Sequence, residues 1–208
     1  MEQFVISLGG SVAFDNGPNL DFLKGFCAVL KEEVQKGNKF VIVVGGGLVW
    51  IGIYATRLNA QLLVAILKSL EIATKFNDNL DLAEFGQNSI IVGGGGVPGH
   101  SSDFTTVQMA VNFKIKKVIN LGKPDYVYTA NPDKDPTAKP IEKIAWTDYF
   151  KIIPTEWIPG MNVPFDALAA HLALENNVEV VVATGKDLSN FQSILRNGDF
   201  KGTRMYGK

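Results

Sequence analysis

Four consecutive glycines, Gly93 to Gly96, followed by Ser101, Ser102 and Asp103, are the residues here best suited to chemistry. A glycine run lets backbone N–H groups approach a ligand with no Cβ in the way. Ser101, Ser102 and Asp103 open a stretch, FTTVQMAVNF, with the character of a helix whose N-terminus favours negative charge. Ile90, Ile91 and Val92 lead into the glycines as a short apolar run of strand type. Taken alone, the same run also reads as a flexible surface turn.

Two further glycine groups follow apolar runs. Phe4–Leu8 leads into Gly9, Gly10 and Ser11, and Phe40–Val44 leads into Gly45, Gly46 and Gly47. Ligands of open α/β sheets bind beyond the carboxyl ends of the strands, so three such endings make separate structural turns a poor joint explanation. None is a named phosphate motif: GxxxxGK[ST] is absent, as is GxGxxG with its acidic partner. The expectation is a phosphorylated ligand held by backbone amides from several loops.

The elements that must position these loops alternate along the chain. Leu20–Gln35 reads as a helix, with Phe22, Phe26, Val29, Leu30 and Val34 at helical spacing, and Gly37–Asn38 ends it before the second strand. A β-α-β opening of this kind is parallel and right-handed, which puts the first two glycine groups at one sheet edge. Ile51–Leu70 is a long, mostly apolar helix in which Arg57 and Asn59 read as solvated face residues. Lys117–Leu121 and Val178–Thr184 read as strands, and Asp125–Thr129 begins a hairpin ahead of the loop ANPDKDPTAKP. Trp146–Ile153 reads as a short helix, Ala167–Glu175 as a helix capped by Asp166, Leu188–Leu195 as a helix and Lys201–Tyr206 as an edge strand. This alternation predicts an α/β fold, a three-layer α/β/α sandwich with a mostly parallel central sheet, in one domain over 1–208.

Composition narrows the function. With 46% hydrophobic residues in 208, the chain can bury a sizeable core. A net charge of −1 without basic runs argues against a nucleic-acid surface. No apolar run approaches the roughly 18 residues of a membrane helix, and MEQFVISL enters a strand with no basic leader, so a cytoplasmic protein without membrane partners is expected. Cys27 reads as a buried, inert thiol, and with His100 and His171 the only histidines, no zinc site is expected.

The glycine groups, ATRLNA at 55–60, PGHSSD at 98–103, YVYTANPDKDPTA at 126–138 and PGMNVPFDALAA at 159–170 resemble the amino-acid-kinase superfamily. Within it they are most similar to the archaeal-type UMP kinases, over nearly the whole chain. The resemblance implies transfer of the γ-phosphoryl group of ATP to UMP, with Mg²⁺ carried by ATP, in a homo-oligomer that is a hexamer built from dimers. By the same resemblance Asp103 and Ser11 are catalytic, Asp103 organising the cationic groups around the migrating phosphoryl. Gly9, Gly10 and Ser11 face the ATP phosphates, with Asn120, Asp125, Tyr128, Asn131, Pro132 and Asp166 completing the ATP set. Gly45, Gly46 and Gly47 hold the UMP phosphate, and Gly52, Asn59, Gly95, His100, Ser101 and Ser102 lie around UMP. Independently, phosphoryl transfer asks a protein chiefly to position two polyanions and neutralise charge, which backbone amides from facing loops do.

The chain departs from the family at three places. Ser7 stands where much of the superfamily has lysine, with Lys186, Lys134 and Lys123 as candidate substitutes. Gly47 is followed by Leu48, Val49 and Trp50, without the arginine-bearing helix and aspartate of relatives, and the join Leu70–Glu71 is similarly abrupt. Either a segment is deleted there or a mobile one is absent from the sequence. Asn131 replaces an aspartate. These departures keep a second function open, a nucleotide-binding storage or regulatory relative without turnover. A kinase for a carboxylate, carbamate or isopentenyl phosphate is a third reading, against which the uridylate-like segments argue.

Overall fold

The structure is a computed structural model that describes residues 1–14, 17–45, 52–78, 81, 83–96, 100–154 and 163–207. The chain opens with β1 (Gln3–Leu8), a single helical turn α1 (Gly10–Ala13), α2 (Leu20–Gln35), β2 (Lys39–Val44), α3 (Gly52–Ser69), β3 (Thr74–Asn77) and β4 (Ile90–Gly93). It continues with α4 (Ser102–Asn112), β5 (Lys117–Gly122), β6 (Val127–Tyr128), β7 (Pro140–Ile141), β8 (Lys143–Ala145) and α5 (Trp146–Tyr149). The last elements are α6 (Ala167–Glu175), β9 (Glu179–Thr184), α7 (Leu188–Leu195) and β10 (Thr203–Tyr206).

Eight strands form the central sheet in the order β3-β4-β2-β1-β5-β9-β10-β8. The first six run parallel, while β10 lies antiparallel to β9 and pairs in parallel with β8. Both faces of β1 and β2 are buried, as their unbroken β-branched and aromatic runs require. One core lies between the sheet and α2, α3 and α7, built on Leu8, Phe26, Ile42, Leu63 and Phe191, with Phe26 and Phe191 stacked 5.5 Å apart. The other lies under α4, α5 and α6, built on Val5, Val43, Val118, Trp146, Tyr149 and Phe165. The result is the three-layer, mostly parallel α/β/α sandwich that the alternation predicts.

The helices end by a shared device. In α2, α3, α4, α6 and α7 the residue after the last turn is left-handed (Gly37, Glu71, Lys114, Asn177 and Asn197), and two N–H groups fold back onto the final carbonyls. After α3, for example, Glu71 N donates to Lys68 O at 2.9 Å and Ile72 N to Leu67 O at 3.2 Å. This is the Schellman arrangement, which satisfies the last carbonyls and turns the chain sharply. The Leu70–Glu71 join is a closed, hydrogen-bonded turn into β3.

Several expectations change. Of the expected edge strand Lys201–Tyr206, Thr203–Tyr206 forms β10 and lies inside the sheet, because β8, too short to show in the sequence, takes the edge beyond it. The helix expected over Trp146–Ile153 is confined to Trp146–Tyr149, which is buried at Trp146 and Tyr149. The hairpin begun at Asp125 closes as β6 against β7 and is anchored where Val127 N donates to Thr203 Oγ1 at 2.8 Å. Cys27 is buried, and burial pushes its thiol up to about 12. Leu63, Val64 and Leu67 face the core, while Tyr54 and Leu58 on the same helix are exposed. No helix among the described residues is long and apolar enough to cross a membrane.

Candidate active site

Parallel pairing brings the carboxyl ends of β1, β2 and β4, with their glycines, to one edge. The first two ends are close. Gly9 N donates to Leu121 O at 2.9 Å, Gly45 N to Leu8 O at 2.9 Å, and a Cβ on Gly45 would lie 2.8 Å from Gly10 N. That approach demands glycine at 45 whatever the ligand, since real Cβ atoms do not come so close to backbone.

Helix α3 ties the edge together with the polar residues of the ATRLNA segment. Asn59 Nδ2 donates to Gly45 O at 3.2 Å, so Asn59 is engaged with a strand end, contrary to the solvated-face expectation. Thr56 Oγ1 donates to Ile53 O and accepts from Gly95 N at 2.7 Å. Gly96 N donates to Thr105 Oγ1 at 3.3 Å. Two amides of the four-glycine run thus serve internal hydroxyls, which corrects the expectation that the run presents them to a ligand. Gly94 shows why the run is bare: a Cβ there would stand 2.8 Å from Arg57 N. Arg57 Nε is buried without a partner among the described residues.

Opposite, Ser101 caps α4, its Oγ accepting from Phe104 N at 3.1 Å, and the exposed His100 ring stacks on Phe104 at 4.1 Å. The next residues bring the carboxylates together. Asp103, in the first turn of α4, accepts from Ser7 Oγ at Oδ1 (3.2 Å) and from Asp166 N at Oδ2 (3.3 Å). Asp166 caps α6 through Oδ1, which accepts from Ala169 N at 2.8 Å, while its buried Oδ2 has no partner among the described residues. Burial first, then the neighbouring Asp166 charge, pushes the Asp103 carboxyl up to about 6 against the two hydrogen bonds. Asn120, beside Ser7 on β5, donates Nδ2 to Pro164 O at 3.3 Å and so fixes the approach to Asp166. Tyr149 completes the support, its hydroxyl donating to Phe165 O at 2.7 Å and accepting from Phe165 N at 3.0 Å.

The remaining expected residues lie apart from this cluster. Ser11 lines a cleft of about 630 Å³ with Gly17, Asn19, Asp21 and Lys186, which makes Lys186 the candidate substitute lysine that shares a cleft with a glycine-loop residue. Tyr128 donates its hydroxyl to Asp125 Oδ1 at 2.8 Å, a bond that holds the phenol up. Asn131, followed by Pro132, shapes the hairpin loop: its Oδ1 accepts from Asp133 N and its carbonyl from Lys134 N and Asp135 N. Gly52 opens α3 and Ser102 follows the α4 cap. Gly46, Gly47 and the Leu48–Trp50 departure lie outside the described residues. Ser7, Thr56, Thr105 and Tyr149 are site-building residues that sequence reasoning did not assign; a polar residue within the apolar run FVISL is the signal that marks Ser7.

A parallel sheet whose glycine-ended strands face carboxylate-bearing helix starts defines an α/β protein of the kind that binds ligands in the crevice beyond its strand ends. The chain belongs to the amino acid kinase family, whose model matches residues 48–184. It is 31% identical to a protein named uridylate kinase from Methanospirillum hungatei, over 98% of this chain and 94% of that one. That alignment has 227 positions for a chain of 208, so at least 19 positions face gaps in this chain. A solved uridylate kinase from Archaeoglobus fulgidus superimposes with a TM-score of 0.79 at 28% identity, covering 97% of this chain and 99% of that one. The UMP kinase of Bacillus anthracis superimposes with a TM-score of 0.80 at 21% identity, covering 98% and 95%, a likeness of fold.

Proposed function

We propose that this chain transfers the γ-phosphoryl group of ATP to UMP, giving UDP and ADP. The observation that carries the reading is the meeting of glycine-ended β1, β2 and β4 at the edge where Ser7 of β1 touches Asp103, in a chain similar along its length to uridylate kinases.

ATP phosphates lie over the turn Gly9, Gly10 and Ser11, with the base and ribose toward Asp125, Tyr128, Asn131 and Pro132, and Asn120 and Asp166 beneath. The UMP phosphate lies at Gly45, Gly46 and Gly47, and Gly52, Asn59, Gly95, His100, Ser101 and Ser102 surround the nucleotide. An oxygen of the UMP phosphate forms the new bond to the γ-phosphorus as the bond to the β–γ bridging oxygen breaks and ADP leaves. That nucleophile is already anionic at neutral pH, so no general base is needed, and Asp103 acts by organising donors around the migrating group. The donors at this edge, backbone N–H groups and hydroxyls, suit phosphate oxygens, and Mg²⁺ therefore enters with ATP. Bound there, Mg²⁺ would neutralise charge on the β- and γ-phosphates.

The chain works as one domain over 1–208, in the cytoplasm, without nucleic acid. It assembles as a homo-oligomer, a hexamer built from dimers, for which the exposed Tyr54 and Leu58 of α3 offer an apolar contact. The test is ADP release from Mg·ATP with UMP, CMP, AMP or no acceptor. Turnover with UMP alone is expected. Absence of turnover with every acceptor, together with tight ATP or UMP binding, would replace the kinase by a nucleotide-binding protein.

A further inference from the structure

We propose that Ser7 is the positioning residue of the Asp103 carboxylate, aiming it and holding it ionised, a role that rests on the phosphotransferase reading for its consequence in turnover. β1 lies in the middle of the sheet, and Phe4, Val5, Ile6 and Leu8 around Ser7 are buried and apolar. Ser7 itself is 2% exposed. A hydroxyl at such a position packs less apolar surface than valine and needs a partner to offset its desolvation, so its presence marks the bond it makes.

That bond goes to Asp103 Oδ1, and the second oxygen receives the N–H of Asp166. The carboxylate is thus gripped from two layers, by the sheet through Ser7 and by the α6 start through Asp166. The titratable groups that face it are the Asp166 carboxylate of α6 and the Tyr149 hydroxyl of α5, the latter giving its proton to Phe165 O. From β1 comes the neutral Ser7 hydroxyl. No lysine or arginine among the described residues pairs with Asp103. Among the described residues, two hydrogen bonds favour the charged form of this carboxylate against burial and Asp166, and one of them is a side chain that substitution can remove.

Ser7→Ala deletes one oxygen from an apolar strand, and Ser7→Thr keeps the hydroxyl. With Ser7→Ala, kcat for UMP phosphorylation should fall about ten- to a hundredfold, with KM for ATP and UMP little changed. The acid limb of its pH profile should move upward by about one pH unit, and Ser7→Thr should restore much of both. Thermal unfolding from pH 4 to 8 supplies a readout independent of turnover. Protonated Asp103 behaves alike in both proteins, whereas ionised Asp103 is less well held in Ser7→Ala, so the gap in Tm should open as pH rises. In an Asp103→Asn background that pH-dependent gap should vanish. A Tm gap constant across pH, or an unmoved acid limb with normal kcat, overturns the proposal. A wild-type protein inactive on UMP defeats the kinase reading, and the pH-dependent gap then still decides whether Ser7 holds Asp103 ionised.

Discussion

Asp103→Asn should produce a protein that is more stable than the wild type at neutral pH and nearly inactive. The Asp103 carboxyl is pushed from 3.8 to about 6 by burial and by Asp166. A folded-state value above the unfolded one means that the native protein holds the proton more tightly. This group's contribution is therefore best below the unfolded value, declines as pH rises and is fully unfavourable above the folded value. A rise of about two units corresponds to about 3 kcal/mol. Because Asp103 keeps some exposure, and asparagine alters the bonds to Ser7 and Asp166 N, a gain of about 1–3 kcal/mol at pH 7.5 is the working figure. For a chain of this size that is a rise in Tm of roughly 2–10 °C. Scanning calorimetry of both proteins at pH 4, 6 and 7.5, with the UMP assay alongside, measures it. The gain should shrink toward zero at pH 4, and kcat should fall by orders of magnitude while ATP still binds. A substitution that destabilises at neutral pH, or shifts Tm equally at every pH, would refute the reasoning that a strained charge resides at Asp103.

Gly45→Ala places a methyl 2.8 Å from Gly10 N, so it should spread the first two loops and cut kcat/KM for UMP at least tenfold; unchanged kinetics would show that the loops do not cooperate. Glu33 is 2% exposed and accepts from Lys36 at 2.8 Å, Asn38 at 3.0 Å and Arg196 at 3.2 Å, fastening α2 to the end of α7. Burial raises its carboxyl, but the bonds from Lys36, Arg196 and Asn38 and the Lys36 charge outweigh this and hold it below the usual range. Glu33→Ala should cost about 1–3 kcal/mol in urea denaturation at pH 7. That loss should disappear as pH falls through the lowered native value, where Glu33 itself is neutralised. Glu71, left-handed at φ 61° and making no side-chain hydrogen bond among the described residues, should gain about 0.5–1 kcal/mol on replacement by glycine, read as a higher urea midpoint at unchanged m-value.

The elements that were legible in the sequence are those whose burial follows a period. Leu20–Gln35 shows an apolar stripe and a capping Asn19, and its bounds agree with α2. The runs Phe4–Leu8 and Phe40–Val44 are buried on both faces, and only a central parallel strand needs that. By contrast β3, with the sequence TKFN, pairs on one side only and carries no apolar run. β8 is three residues long and falls between the loop ANPDKDPTAKP and Trp146, where the sequence suggests no element. Of the five left-handed helix ends, only Gly37 announces itself, because Glu71, Lys114, Asn177 and Asn197 adopt that conformation under the pull of two backbone bonds. In the site, Asp103 and Asp166 stand out as helix-start carboxylates, whereas the touch between Ser7 and Asp103 spans 96 residues and no local pattern encodes it.

The reversed course of β10 has a practical consequence. Because β10 runs against β9, Met205 pairs with Val180 and the strand finishes at the edge where β1 begins. Gln3 and Tyr206 therefore stand on the side of the sheet opposite the glycine-ended strands, about 20 Å away along strands of six residues. A dye, bead or solid support coupled at either position would leave the crevice beyond the glycine-ended strands open to solution, which makes this chain well suited to surface-immobilised binding measurements.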